Sequence, residues 1–241
     1  DLKDLLKNRP WWILMGAGIA ALIFNSIRDG ATIYYFKYYV QQTSSFELTS
    51  WNVSITWTTL YLVLGQIANM IGVSCAAMVA NRFGKKNTYM WAMILATVMS
   101  VIFYWFTPDQ LLLIFIFQVL ISICAGIVFP LLWSMYADIA DYSELKTGRR
   151  ATGLIFSSSS MSQKFGWTIG GALTGWLLSY FGFEANVVQT EYAQSGIRMM
   201  LSFFPAIGTV LSVLFIAVYP LSEVKVKEIE SELIVKRNTE I

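Results

Sequence analysis

LLLIFIFQVLISICAGIVFPLLWSMY, residues 111–136, carries no charged side chain. A bilayer core of about 30 Å takes roughly 20 apolar residues in a helix. This stretch is longer than that and lacks the strict alternation of a barrel strand. It reads as a membrane helix. The rest of the chain repeats the pattern. No charge falls between Arg9 and Arg28, between Glu47 and Arg82, between Lys86 and Asp109, or between Arg198 and Glu223, and only Lys164 interrupts the run from Arg150 to Glu184. Backbone groups in lipid must pair internally, which restricts the choice to helices or a closed barrel. The sequence therefore predicts an all-α membrane protein with six transmembrane helices, at about 11–39, 53–80, 88–106, 111–136, 153–182 and 197–219. Residues 1–10 read as a cytoplasmic linker and 220–241 as a cytoplasmic tail, a short solvated helix with i,i+4 charge pairs.

Composition agrees. Of the 241 residues, 56% are hydrophobic and only 13% are charged. Soluble domains carry about twice that share of charge. Cys75 and Cys124 lie inside apolar runs, which excludes a disulfide scaffold. There is no His, which excludes His-ligated metal and any Ser–His or Cys–His catalytic pair. A net charge of +2 gives no reason to expect nucleic acid as a partner. The chain opens on Asp1 with no initiator Met and no signal peptide, as expected of a piece of a longer protein.

Thirteen of the 17 Lys and Arg lie in DLKDLLKNRP, NRFGKKNT, ADIADYSELKTGRR and the tail. The alternate connections contain none. By the positive-inside rule both ends should be cytoplasmic and the chain multi-pass.

Ionisable residues inside spans cost roughly 2.5–3.5 kcal/mol and usually face water or a partner. Lys164 sits in ATGLIFSSSSMSQKFGWTIGGALTGW, residues 151–176. Helical spacing aligns it with Ser157, Ser160 and Thr168, with Gln163 at the border. Such a stripe suits an oxygen-rich guest, a sugar or a carboxylate; the alternative is a structural pair with an acid on another helix. Gly166 with Gly170, and Gly171 with Gly175, read as close helix packing. Arg28 and Asp29 in the first span read equally as a buried salt bridge or gate and as substrate contacts. Gln66 and Asn69 share one face of the second span and point to a ligand or a neighbouring helix. Phe129 and Trp133 follow Gln118 and Ser122 on one face of the fourth span, an aromatic surface for a sugar ring or ordinary core. In residues 138–150, Asp138, Asp141 and Glu144 precede Lys146, Arg149 and Arg150. These read as ion pairs between helix ends that hold one access state closed, and no metal site is expected.

The pattern A-D-x-x-D-Y-x-E-x-K-x-x-x-R over 137–150, followed by Gln163, Lys164, Gly166 and Gly170–Gly171, resembles the signature of the glycoside–pentoside–hexuronide:cation symporters, the melibiose permease-like family of the major facilitator superfamily. NRFGKKNT resembles the superfamily's basic loop, and Arg82 joins the gate set on that ground. Asn81 stands where that motif usually has Asp. The resemblance implies that the chain is the carboxyl-terminal half of a twelve-helix sugar:cation symporter of the bacterial inner membrane, working by alternating access. It implies a sugar substrate, the lipid bilayer and an amino-terminal six-helix half as partners. It implies no cofactor, with the coupling Na⁺, H⁺ or Li⁺ held by the other half. Lys164 then matches the family lysine of the eleventh helix beside the sugar cavity. Rival readings are a self-contained six-helix channel or carrier acting as an oligomer, a drug or lipid carrier on the same fold, and an intramembrane enzyme using Lys164 as a base or nucleophile.

Overall fold

The computed structural model of the chain describes residues 2–41, 46–48, 53–148 and 152–239. A short helix α1 (Leu2–Leu6) leads into α2 (Arg9–Tyr34), which continues as a π-helical turn over Tyr35–Val40. Then come α3 (Trp57–Phe83), α4 (Lys85–Phe103), α5 (Leu111–Thr147) and α6 (Thr152–Tyr180). The next helix is broken into α7 (Glu191–Leu201) and α8 (Phe203–Ala217), and α9 (Glu223–Thr239) closes the chain. The loop before α3 holds a small antiparallel hairpin, β1 (Phe46–Leu48) with β2 (Val53–Ile55), in the register Phe46↔Ile55. This is a minor departure from an all-α reading: it occupies the start of the second predicted span, so that helix begins at Trp57 and not near 53.

The ends of the helices follow from local chemistry. Asn8 Oδ1 accepts the Trp11 N–H at 3.3 Å ahead of α2, whose first turn holds Pro10. Thr56 and Thr190 cap α3 and α7 in the same way. Gly148, at φ +70°, ends α5.

Among the described residues, four segments are long and apolar enough to cross a membrane: Arg9–Val40, Trp57–Phe83, Leu111–Thr147 and Glu191–Ala217. The other two predicted spans fall on α4 and α6. The 19 residues of α4 open on Lys85 and Lys86, and the 29 residues of α6 are diluted by Ser157–Ser160, Gln163 and Lys164. Large apolar side chains such as Trp91, Leu95, Trp105, Trp176 and Leu214 are exposed around the bundle, as lipid contact requires.

Helix pairing is symmetrical. The close pairs are α3 with α5, α2 with α6, α2 with α8, α4 with α5, and α4 with α8. Exchanging α2–α3–α4 for α5–α6–(α7/α8) maps this set onto itself, the pairing expected of two three-helix repeats. Two apolar clusters stack along the bundle. One is built around Leu14, Phe24, Met93, Met135 and Ile139, the other around Ile27, Tyr35, Phe103, Ile114 and Met200.

Small residues set the closest approaches. A Cβ on Gly126 would meet the backbone of Asn69, and one on Gly72 would meet that of Ile123, so α3 and α5 touch main chain to main chain. Gly166 and Gly170 lie against Leu22 and Ser26 of α2. Gly171 and Gly175, expected to pack likewise, face open space. The tail also differs from expectation. Val226, Ile229 and Leu233 are buried, and α9 packs against α5, so this is an amphipathic helix docked on the bundle and not a solvated one.

Gly126→Leu should force α3 and α5 apart. Overpacking of this kind costs about 1–3 kcal/mol. Thermal unfolding of the purified protein in detergent should show the corresponding fall in midpoint.

Candidate functional site

A cleft of about 250 Å³ opens on one side of the bundle. Its walls come from α2 (Asn25, Arg28, Asp29), α3 (Gly65, Gln66, Asn69), α5 (Gln118, Ser122, Phe129) and α6 (Trp167), with apolar side chains such as Leu22, Leu62 and Leu132 between them. The mixture of apolar walls and a few convergent polar groups is that of a small-molecule site.

Its floor is a buried cation. Arg28 is 5% exposed and donates to three neutral acceptors: the Leu201 carbonyl, Tyr61 Oη at 3.1 Å and Gln118 Oε1 at 2.9 Å. Its guanidinium lies 5.8 Å from the Phe24 ring centre and 5.3 Å from that of Phe103. The Leu201 carbonyl is available for a local reason. Its helical partner would be the N–H of residue 205, which is Pro205 and has none. The chain breaks there, at Ser202, and Ser202 Oγ donates to the Arg198 carbonyl at 2.8 Å. Arg28 fills the remaining gap. Gly65 gives the Gln118 amide room beside it, since a Cβ there would come within 2.5 Å of Gln118 Nε2.

Asp29 lines the cleft and makes no hydrogen bond among the described residues. Asn25 Nδ2 bonds its own helix at the Ala21 carbonyl, 3.2 Å away. Gln66 and Asn69 have side chains free of hydrogen bonds among the described residues.

The other three membrane-level cations behave differently from one another. Lys37 donates to Asn186 Oδ1 at 2.9 Å, and Arg198 caps the end of α4 at the Tyr104 carbonyl. Lys164 alone of the four has no polar partner among the described residues. It is exposed on α6 together with Ser157, Ser160 and Thr168, and this stripe does not line the cleft. Of the four consecutive serines, Ser158 accepts from Trp11 Nε1 at 3.0 Å and Ser159 is buried, which leaves Ser157 and Ser160 on the open face. Gln163 is half-buried with Nε2 unpartnered. Trp133 stacks on Phe156 at 5.7 Å and 10°, with Phe129 at 6.3 Å from Trp133, so the aromatics bridge α5 and α6 at the cleft margin.

The predicted gate is only partly brought together. Asp138 is paired, but with Lys85, at 2.7 and 2.8 Å, and not with the basic residues that follow it. Glu223 of α9 accepts the Lys85 N–H at 2.6 Å and so caps α4. Lys86 Nζ donates to the carbonyls of Ala217 and Tyr219, closing the end of α8. Tyr219 is buried beside Asp138, and burial holds its phenol well above the ordinary pKa. Arg82 lies over Phe83, and Lys146 over Tyr142 at 5.7 Å. Asp141 and Glu144 both make contacts. Arg149 and Arg150 lie outside the described residues. No group of three or more His, Cys, Asp and Glu able to hold a metal occurs among the described residues.

Residues 1–223 match the family described as MFS/sugar transport protein. The chain belongs to that family. Among its relatives are an isoprimeverose transporter of Lactiplantibacillus pentosus, 32% identical over 94% of this chain and 45% of the relative. A glucuronide carrier protein homolog of Escherichia coli is 30% identical over 97% of this chain and 49% of the relative. The E. coli inner membrane symporter YicJ is 29% identical over 88% and 44%. The chain thus spans about half the length of these curated relatives. Its fold is similar to that of the proton:xylose symporter XylE bound to 6-bromo-6-deoxy-D-glucose, with a TM-score of 0.66, 16% identity, and coverage of 93% of this chain and 48% of the other. These are transporters and not enzymes.

Tyr61 and Trp167 were missed by sequence reasoning. Both are aromatic residues in apolar spans that read as lipid-facing or core, and only helix packing brings them to the site. Arg28→Met should remove three interhelical hydrogen bonds. At roughly 0.6 kcal/mol each, the loss is about 2 kcal/mol, readable as a lower unfolding midpoint in detergent.

Proposed function

We propose that this chain is the carboxyl-terminal, six-span half of a twelve-helix sugar:cation symporter of the bacterial inner membrane, with both of its ends cytoplasmic. The observation that carries this reading is a polar cleft opening on one side of a half-length transporter fold, on a chain that also exposes, away from that cleft, a lysine with no polar partner among the described residues. A mid-membrane ammonium is costly unless water or a polar guest reaches it. Lys164, with Ser157, Ser160, Thr168 and Gln163, then faces the space between the halves and completes the sugar cavity. Asn25, Gln66 and Asn69 offer donors and acceptors to sugar hydroxyls, while Phe129 and Trp133 offer ring faces. The amino-terminal half supplies the opposite wall and the site for Na⁺, H⁺ or Li⁺, and no cofactor is needed. The two halves rock about the cavity. Asp138 with Lys85, together with Asp141, Glu144, Lys146 and Arg82 and, by the sequence motif, Arg149 and Arg150, form the cytoplasmic gate, whose pairs favour one access state by a few kcal/mol.

The test is uptake of labelled glycosides by vesicles containing the full-length protein under an imposed Na⁺ or H⁺ gradient. Gradient-driven accumulation is expected, and its absence for every sugar and cation would refute the reading. Lys164→Ala should abolish or strongly reduce uptake at normal expression; unchanged kinetics would remove Lys164 from the site. Lys85→Ala should slow turnover more than it weakens sugar binding, measured as uptake rate against equilibrium binding; equal losses would count against a gate.

A further inference from the structure

Two of the side chains lining the cleft are charged, Arg28 and Asp29, and the fold presents them unequally. They are adjacent on α2, so they point about 100° apart. Arg28 is turned into the junction of the helices, where the Leu201 carbonyl, Tyr61 and Gln118 take its donors and two phenyl rings flank its plane. Asp29 is turned to the cleft with no hydrogen bond to any described residue. A guest entering there meets a carboxylate acceptor with neutral amides around it, while the guanidinium at the floor has donors already engaged by protein acceptors. Lys164 does not line this cleft.

Resting on the sugar-transport reading, we infer that Asp29 is a specificity-determining residue that accepts hydroxyl hydrogens from a neutral sugar and rejects anionic sugars such as hexuronates. The physics has two parts. A hydroxyl donating to a carboxylate makes a charge-assisted bond, roughly twice as strong as a neutral one. The adjacent Arg28 and Asp29 charges cancel, so a neutral guest leaves the cleft neutral. An anionic guest adds an unbalanced charge next to the carboxylate in a poorly screened site, and rejection by like charge is an effective selectivity device.

The test uses the full-length protein, purified and reconstituted. Methyl xyloside, methyl glucoside and methyl galactoside are compared with methyl glucuronide as competitors of labelled glycoside uptake. Isothermal titration calorimetry of the purified protein in detergent gives an independent measure of binding. The wild type should bind its best neutral glycoside at least tenfold more tightly than the glucuronide. Asp29→Asn, nearly identical in shape, should lose about tenfold or more for the neutral sugar and shift the glucuronide-to-neutral ratio at least tenfold towards the glucuronide. Asp29→Glu, which keeps the charge, should retain the preference for neutral sugars. An unfolding midpoint close to that of the wild type certifies each variant, and if Asp29→Asn fails this check, the wild-type ratio and Asp29→Glu decide. A wild type that prefers the glucuronide, or an Asp29→Asn variant with unchanged ratio while sugar is still transported, overturns this inference and leaves the transport reading intact. A protein that neither transports nor binds any of these sugars overturns both.

Discussion

The buried guanidinium of Arg28 is the constraint around which the bundle is organised. It lies where the two apolar clusters meet, with Gln118 between Ile114 of one and Ile121 of the other. A charge at that depth is tolerated only with its donors satisfied. The acceptors come from α3, α5 and the last residue of α7, so one side chain of α2 ties four helices together. The break between α7 and α8 takes part in this. Pro205 removes the donor that would have closed the helix at Leu201, and Arg28 supplies a replacement from another helix. The kink in one helix and the charge in another are mutually dependent features.

That arrangement also makes the cleft. Gly72 and Gly126 bring α3 and α5 into main-chain contact, Gly65 makes room for the Gln118 side chain, and the same approach brings Gln66, Asn69 and Ser122 to one opening. On the opposite flank, Gly166 and Gly170 seat α6 on α2 and leave Lys164 on the far side of the helix. The symmetrical pairing of the two three-helix groups places α2 and α5, the helices carrying Arg28 and Gln118, in contact with each other. A rigid, well-paired unit with a polar opening between its helices suits a motion of whole bundles more than a motion within one.

The other end of the molecule is held by charge. Lys85, Lys86, Asp138 and Glu223 join the start of α4, the end of α8, the lower part of α5 and the tail helix. Each side chain satisfies either a counter-charge or an exposed helix terminus, so the cluster reads as two kinds of closure at once. Side chains that cap helices are poor candidates for opening. The Lys85–Asp138 pair joins two separate helices, and it is the element of this cluster whose breakage would let those helices part.

Much was legible in the order of residues alone. Long charge-free runs fix where helices cross, because lipid offers no hydrogen bonds to an unpaired backbone. The motif around Asp138 and Lys164 was enough to point to a sugar-transporter family, and the family match is now established. The Arg28–Asp29 pair and the Gln66–Asn69 face could be singled out as costly polar groups in spans, yet their roles could not be separated. Helical periodicity states which residues share a face; it does not state which helix that face meets. Only the packing of α2 against α3, α5 and α7 turned Arg28 inward and Asp29 outward, gave Asp138 the partner Lys85, and buried one side of a tail that by charge pattern alone looked solvated. Local pattern determines helices because hydrogen bonds within a helix are local. The site is decided by tertiary structure because its partners are distant in sequence and meet only when the helices are packed.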